Sequence, residues 1–278
     1  MSTDAGRVSA QGPGAPGYPA PVRPPRAPGG RRSTTAVVCL LLGLAALTVA
    51  AVGTWAGHGP DVPADVAAFD RVREMWHSEP VDALLPPTLR GDGAGPGGAD
   101  RTWTRIVLAP DSGCAGAFDP ALAKELAPVG CERLLRATYT DATGTDVITV
   151  GLLFARAEPA PWSRAAARFE HEGVDSRART LPRPVAGKDT PAARFGDHQR
   201  ASWAIGLLPD APVVVYAVSG FADGREIGRP QPAAEAMLDK QTSAAAQSGL
   251  GDEAQGVADG VEAALRARIT ATAPGEDR

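Results

Sequence analysis

The sequence predicts an α+β domain, an antiparallel sheet with flanking helices, preceded by one transmembrane helix and a disordered N-terminal tail. Three observations carry this. Residues 36–56 read AVVCLLLGLAALTVAAVGTWA, with no charge and no proline, and a helix rising 1.5 Å per residue over that length spans about 30 Å of hydrocarbon. Leu135, Ala137 and Tyr139 alternate with Arg136, Thr138 and Thr140, the period of a half-buried strand. Trp162, Ala165, Ala166 and Phe169 recur at helical spacing, which places one side of a helix against a core.

The apolar stretch is read as a spanning helix for physical reasons. A buried core helix carries a polar face, and this one is apolar all round. The apolar core of a cleavable signal peptide runs only about 7–15 residues. Cys39 stands at the start of the run behind Val38, the wrong place for a lipid-anchoring cysteine. Arg7, Arg23, Arg26, Arg31 and Arg32 precede it against a single Asp4, while Asp61 and Asp65 are the first charges beyond. Basic flanks stay in the cytoplasm, so the N-terminus is expected inside and the C-terminal part outside. Gly53 with Gly57, and Ala46 with Ala50, are small residues four apart, a spacing that would let two such helices dimerise.

The chain is accordingly divided into a disordered cytoplasmic Pro/Gly/Arg tail (1–35), the transmembrane helix (36–56), a juxtamembrane helix and linker (57–101), the extracytoplasmic α+β domain (102–269) and a disordered C-terminus (270–278). The tail holds too little apolar surface to fold. Val66, Phe69, Val72 and Trp76 mark a juxtamembrane helix ending near Ser78, and GDGAGPGGAD over residues 91–100 reads as a loop. Strands are expected at 104–108, 135–140 and 145–154, the last two joined by a turn with Asp141 at its first position and Gly144 at its last. A short helix follows Pro120, and a longer one runs from Pro161 to Gly173. Residues 192–195, 201–208 and 213–219 complete the strands, with 208–212 as a hairpin loop. Beyond Pro230 and Pro232 an Ala-rich helical tail is expected, split at residues 249–251, with a last helix from Asp252 that buries Val257, Val261 and Leu265 and frays from about Thr270.

The chain holds 28 basic and 32 acidic residues, a net charge of −4. With the basic tail set aside the remainder is more acidic still, which argues against a nucleic-acid partner. His58, His77, His171 and His198 show no metal-ligand spacing, and Asp111-Ser112-Gly113 lacks the flanking glycines of a nucleophile turn. Glu125, Glu132 and Asp146 are scattered carboxylates; Arg133 and Arg136 are a candidate anion pair. No catalytic, cofactor-binding or metal site is assigned. Of three cysteines, Cys39 falls in the span, whereas Cys114 and Cys131 share the exterior domain, where thiols are kept as bridges. A Cys114–Cys131 disulfide is expected.

The basic tail, the single span, the juxtamembrane helix ending near Trp76 and the run GCERLLRATYTD over residues 130–141 resemble uncharacterised single-pass membrane proteins of actinobacteria. More distantly, the exterior domain resembles the extracytoplasmic sensor domains of actinobacterial receptor kinases. That resemblance implies a membrane-tethered exterior domain; with no nucleophile–base constellation in the sequence, the domain is expected to be non-catalytic and to sense a ligand or bind an envelope protein. The alternative is a membrane-anchored hydrolase acting on the envelope. A shallow apolar groove would favour the first, and a pocket with a His or carboxylate pair the second.

Overall fold

Strand β6 (Val213–Phe221) is buried along its whole length, which a sheet permits only when both of its faces are covered. The computed structural model describes residues 64–273; the expected tail and span lie outside them, and among the described residues no helix is long and apolar enough to cross a membrane. The fold is α+β, with flanking helices on a curled, seven-stranded mixed sheet. Around β6 the sheet contains β1 (Thr88–Gly95), β2 (Ala99–Leu108), β3 (Arg133–Asp141), β4 (Asp146–Phe154), β5 (Ser202–Leu207) and β7 (Gln231–Pro232). They lie in the order β1-β2-β3-β4-β6-β5-β7. All pairings are antiparallel except β5 with β7, a two-residue parallel patch that the sequence did not announce.

The helices are α1 (Ala64–Ser78), α2 (Val81–Leu84), α3 (Pro120–Leu126), α4 (Pro159–His171), α5 (Ala233–Ala236), α6 (Ala244–Gln247) and α7 (Leu250–Thr272). Period-two alternation sorts the strand residues into two cores. On one face Leu135, Ala137, Ile148, Val150, Val213 and Val215 pack with Val257, Val261 and Leu265 of α7. On the other, Leu134, Leu153, Val214 and Tyr216 pack with Leu122 and Leu126 of α3 and Trp162 and Phe169 of α4. β1, at one edge, and β5, next to the other edge, both touch α7, so the sheet curls around that helix.

Three expectations about elements are corrected. The segment 91–100 is not a loop: it ends an edge strand, makes a turn and starts β2. Gly91 leaves room for Trp103, since a Cβ there would lie 2.8 Å from that indole. The expected linker therefore supplies α1 and β1 to the same compact unit as the domain. Residues 191–194 form a 3-10 turn opened by Pro191 and capped by the Thr190 hydroxyl, because proline cannot donate to a ladder. The last helix starts at Leu250 and runs through Thr272. Gly249 sits at φ 72°, in the left-handed region, and breaks it from α6.

Other elements fall where the sequence placed them. The β3–β4 turn is held by the Asp141 carboxylate, which accepts from the amides of Thr143 (2.9 Å), Thr145 (2.9 Å) and Asp146 (2.8 Å). Cys114 and Cys131 stand at disulfide distance, their Cα atoms 6.1 Å apart.

Candidate functional site

A groove of about 560 Å³ lies between α4 and β5. Its helical wall is Ser163, Ala166, Ala167 and Glu170, a stripe at i, i+3, i+4 and i+7; its sheet wall is Ile205, Gly206 and Leu207. The stripe exists because Pro159 opens α4 without losing a hydrogen bond and Trp162 and Phe169 anchor the adjoining face in the core. Trp162 Nε1 donates to the Leu208 carbonyl at 2.7 Å, which ties α4 to the end of β5. Small side chains on the stripe then leave the space open.

Register decides what β5 offers. Leu208 N–H donates to Val213 C=O at 3.0 Å, so the alternate residues Gly206 and Ala204 bond to β6. The backbone groups of Ile205 and Leu207 then point away from β6. On that side, among the described residues, β7 pairs with β5 no further than Trp203, with Gln231 N–H donating to Ala201 C=O. Past Trp203 no described backbone group bonds to that side of the strand, whose Ile205, Gly206 and Leu207 line the groove.

Polar groups in the groove are few. The Ser163 hydroxyl donates to Pro159 C=O at 2.9 Å and is taken up within its helix. Asp175 is held in the wall by its carbonyl, which accepts from Trp203 Nε1 at 2.7 Å. Among the described residues, Glu170 and Asp175 are the charged members of the lining, and no basic residue joins them.

The residues singled out in the sequence are not gathered there. Ser112 forms an isolated bridge with Leu134, and its buried hydroxyl has no hydrogen-bond partner among the described residues. His171 ends α4, and His198 sits in the 3-10 turn Asp197–Gln199. Glu125 is paired by Arg168 (2.9 Å) and Arg177 (3.3 Å), and Glu132 by Arg156 (2.8 Å). Among the described residues no cluster of His, Cys, Asp or Glu is suited to a metal ion. The anion pair is corrected: three positions apart on one strand, Arg133 and Arg136 project to opposite faces. Arg133 is occupied by Asp111 and by the Trp76 ring, 4.9 Å away.

A second cavity, about 570 Å³, is lined by Gly144, Asp146, Phe221, Asp223 and Arg225. Burial pushes the Asp146 carboxyl up to about 7, helped by the nearby Asp141 and Glu253 charges. For Asp141 burial also acts upward, but its hydrogen bonds outweigh that and hold it below the usual carboxylate range. Between about pH 4 and pH 7 the folded state keeps a proton on Asp146 that the unfolded chain has released, so stability falls as pH rises through that window. Asp146→Asn removes the slope. The variant is expected to match the parent below pH 4 and to exceed it by about 1–2 kcal/mol at pH 8, after discounting for partial exposure. Thermal melts at the two pH values check this; an equal difference at both would contradict it.

The groove was missed at the sequence level because its components look ordinary: three consecutive alanines on a helix and one glycine in a strand. Gly206 was the available signal, since a strand glycine weakens packing unless it serves an edge or a close approach. No family model, curated protein or solved structure matches the chain.

Proposed function

We propose that the chain is a single-pass membrane protein with a cytoplasmic N-terminus, whose C-terminal domain binds an envelope protein or small ligand outside the membrane without catalysing a reaction. The topology rests on the uncharged stretch 36–56 and the arginines before it. The observation that carries the binding role is the α4–β5 groove, whose Ala166, Ala167, Phe169, Ile205, Leu207 and Pro209 make it predominantly apolar. Among the described residues its one hydroxyl is spent on the helix backbone, and its lining holds no histidine. A shallow apolar recess of this kind suits recognition.

The test is crosslinking of intact cells with a membrane-impermeant reagent, on the parent protein and on Ala167→Trp. Ala167 is exposed on the helix and lines the groove, so the indole fills the recess without entering the core. Specific adducts on the parent that disappear in the variant are the expected result. An identical adduct pattern in both, or no reaction until the cells are lysed, would overturn the reading.

A further inference from the structure

Resting on the reading of the groove as the binding surface, we infer that it takes an extended, positively charged peptide segment of an envelope protein, added to the free edge of β5 as a further strand. The backbone supplies the first half of this. Ile205 and Leu207 direct their N–H and C=O groups outward, spaced as a strand partner requires. The neighbouring β7 already uses the same side of β5, where Gln231 N–H donates to Ala201 C=O at 3.0 Å. It stops after pairing with Trp203. An incoming segment would continue the pairing where β7 leaves off, with alternate side chains entering the groove.

The two edges of the sheet are treated differently. β1 is blunted by a register shift between Gly91 and Gly95, and it carries the charged Arg90 and Asp92. Its Gly93 amide is occupied by the Asp100 carboxylate at 2.8 Å. Residues 204–207 of β5 read Ala-Ile-Gly-Leu, with no charge, no proline and no bulge. Open apolar edges are a hazard that proteins normally block, and here one edge is blocked and the other is left free beside a groove.

Charge selects the peptide. Glu170 and Asp175 line the groove, no Lys or Arg lines it, and neither carboxylate enters an ion pair among the described residues. A basic side chain gives them a partner, whereas an acidic one adds repulsion in a partly desolvated site. The same charges disfavour a second copy of this chain. Pairing two β5 edges about Gly206 would set two acidic walls against each other.

The experiment uses the full-length chain in detergent micelles and three labelled probes: the pentapeptide Val-Lys-Val-Lys-Val, its Val-Glu-Val-Glu-Val counterpart, and the first with N-methylated amides. Anisotropy titration is expected to show the lysine peptide binding at least about tenfold tighter than the glutamate peptide, with no binding after N-methylation. Amide exchange at Ile205 and Leu207 is expected to slow when the lysine peptide is bound. Ala167→Trp and Leu207→Pro should abolish binding, the latter by deleting an outward N–H while sparing the β6 ladder. Glu170→Gln with Asp175→Asn should remove the preference between peptides. If Leu207→Pro fails to fold, Ala167→Trp and the double carboxamide variant still decide the matter. Equal affinity for both peptides, unchanged exchange at Ile205 and Leu207, or self-association lost in Leu207→Pro would each overturn the inference. Loss of envelope adducts in Ala167→Trp together with no lysine-peptide binding would sink the inference and leave the groove's binding role standing; no change in either assay would remove both.

Discussion

Trp103→Ala is expected to destabilise the domain by about 3–5 kcal/mol, the range for removing a fully buried large aromatic, and to lower its melting temperature by roughly 10 °C or more. Trp103 lies on β2, is completely buried, and fills a niche shaped by glycines. A Cβ at Gly256 of α7 would come within 2.5 Å of its ring, and one at Gly91 of β1 within 2.8 Å. Its Nε1 donates to Glu253, a carboxylate 1% exposed that also meets Arg101 at 3.0 Å. Burial pushes the Glu253 carboxyl up, and the hydrogen bond from Trp103 opposes that shift. Losing the indole therefore opens a cavity and strands a buried acceptor. Trp103→Phe separates the two effects: it keeps most of the ring and should cost only about 1–3 kcal/mol, the price of the unpaired acceptor. Denaturant titration of both variants checks the ordering. An equal loss for the two variants would show that the niche collapses and that the hydrogen bond alone matters.

Trp103 also explains which parts of the fold were legible. Segments with a strong internal period were read correctly. Leu135 to Thr140 alternates, residues 145–154 return after an Asp-Gly turn, and Val257, Val261 and Leu265 repeat along α7. The strand at residues 91–95 was not legible, because its glycines carry no propensity of their own. Gly91 is required by the Trp103 indole twelve residues on, which is itself tied to Glu253, 150 positions further along the chain, and such tertiary demands leave no local pattern. The same holds for the groove. Residues 201–208 were recognisable as a strand, but whether a strand lies at an edge is a property of the whole sheet order. Nothing in Ala204, Ile205, Gly206 and Leu207 announces that β7 ends two residues in. Arg133 and Arg136 teach the converse lesson: proximity in sequence suggested a shared site, and strand periodicity puts them on opposite faces.

Loss of the Cys114–Cys131 bond, by Cys114→Ala with Cys131→Ala, is expected to cost about 2–4 kcal/mol, with a drop in melting temperature of roughly 5–15 °C. The two residues are 17 positions apart, and closing a loop of that size restricts the unfolded chain by an amount in this range. The folded state adds a local reason. The loop contains α3, only 7 residues long and far too short to be helical alone, which must bring Leu122 and Leu126 to the sheet face it covers. One side of the loop is laced to β3, where Ser112 and Leu134 exchange backbone hydrogen bonds of 3.1 and 2.8 Å. Beyond Cys114 the chain also supports the irregular segment behind it: Asp119 N–H donates to Leu181 C=O at 3.0 Å, and Arg183 N–H to Ala117 C=O at 2.8 Å. Opening the bond thus loosens α3 and residues 181–183 together, while the α7 face keeps its own core. Amide exchange should accelerate selectively over residues 112–130 and 181–183, and reductant should reproduce the melting shift in the parent but not in the double variant. The bond also bears on compartment, because such bridges persist where thiols are oxidised. Intact mass of the non-reduced protein from cells is expected to be lower by two hydrogen atoms than that of the reduced form. Two free thiols at Cys114 and Cys131 would contradict both the bond and the exterior placement of the domain.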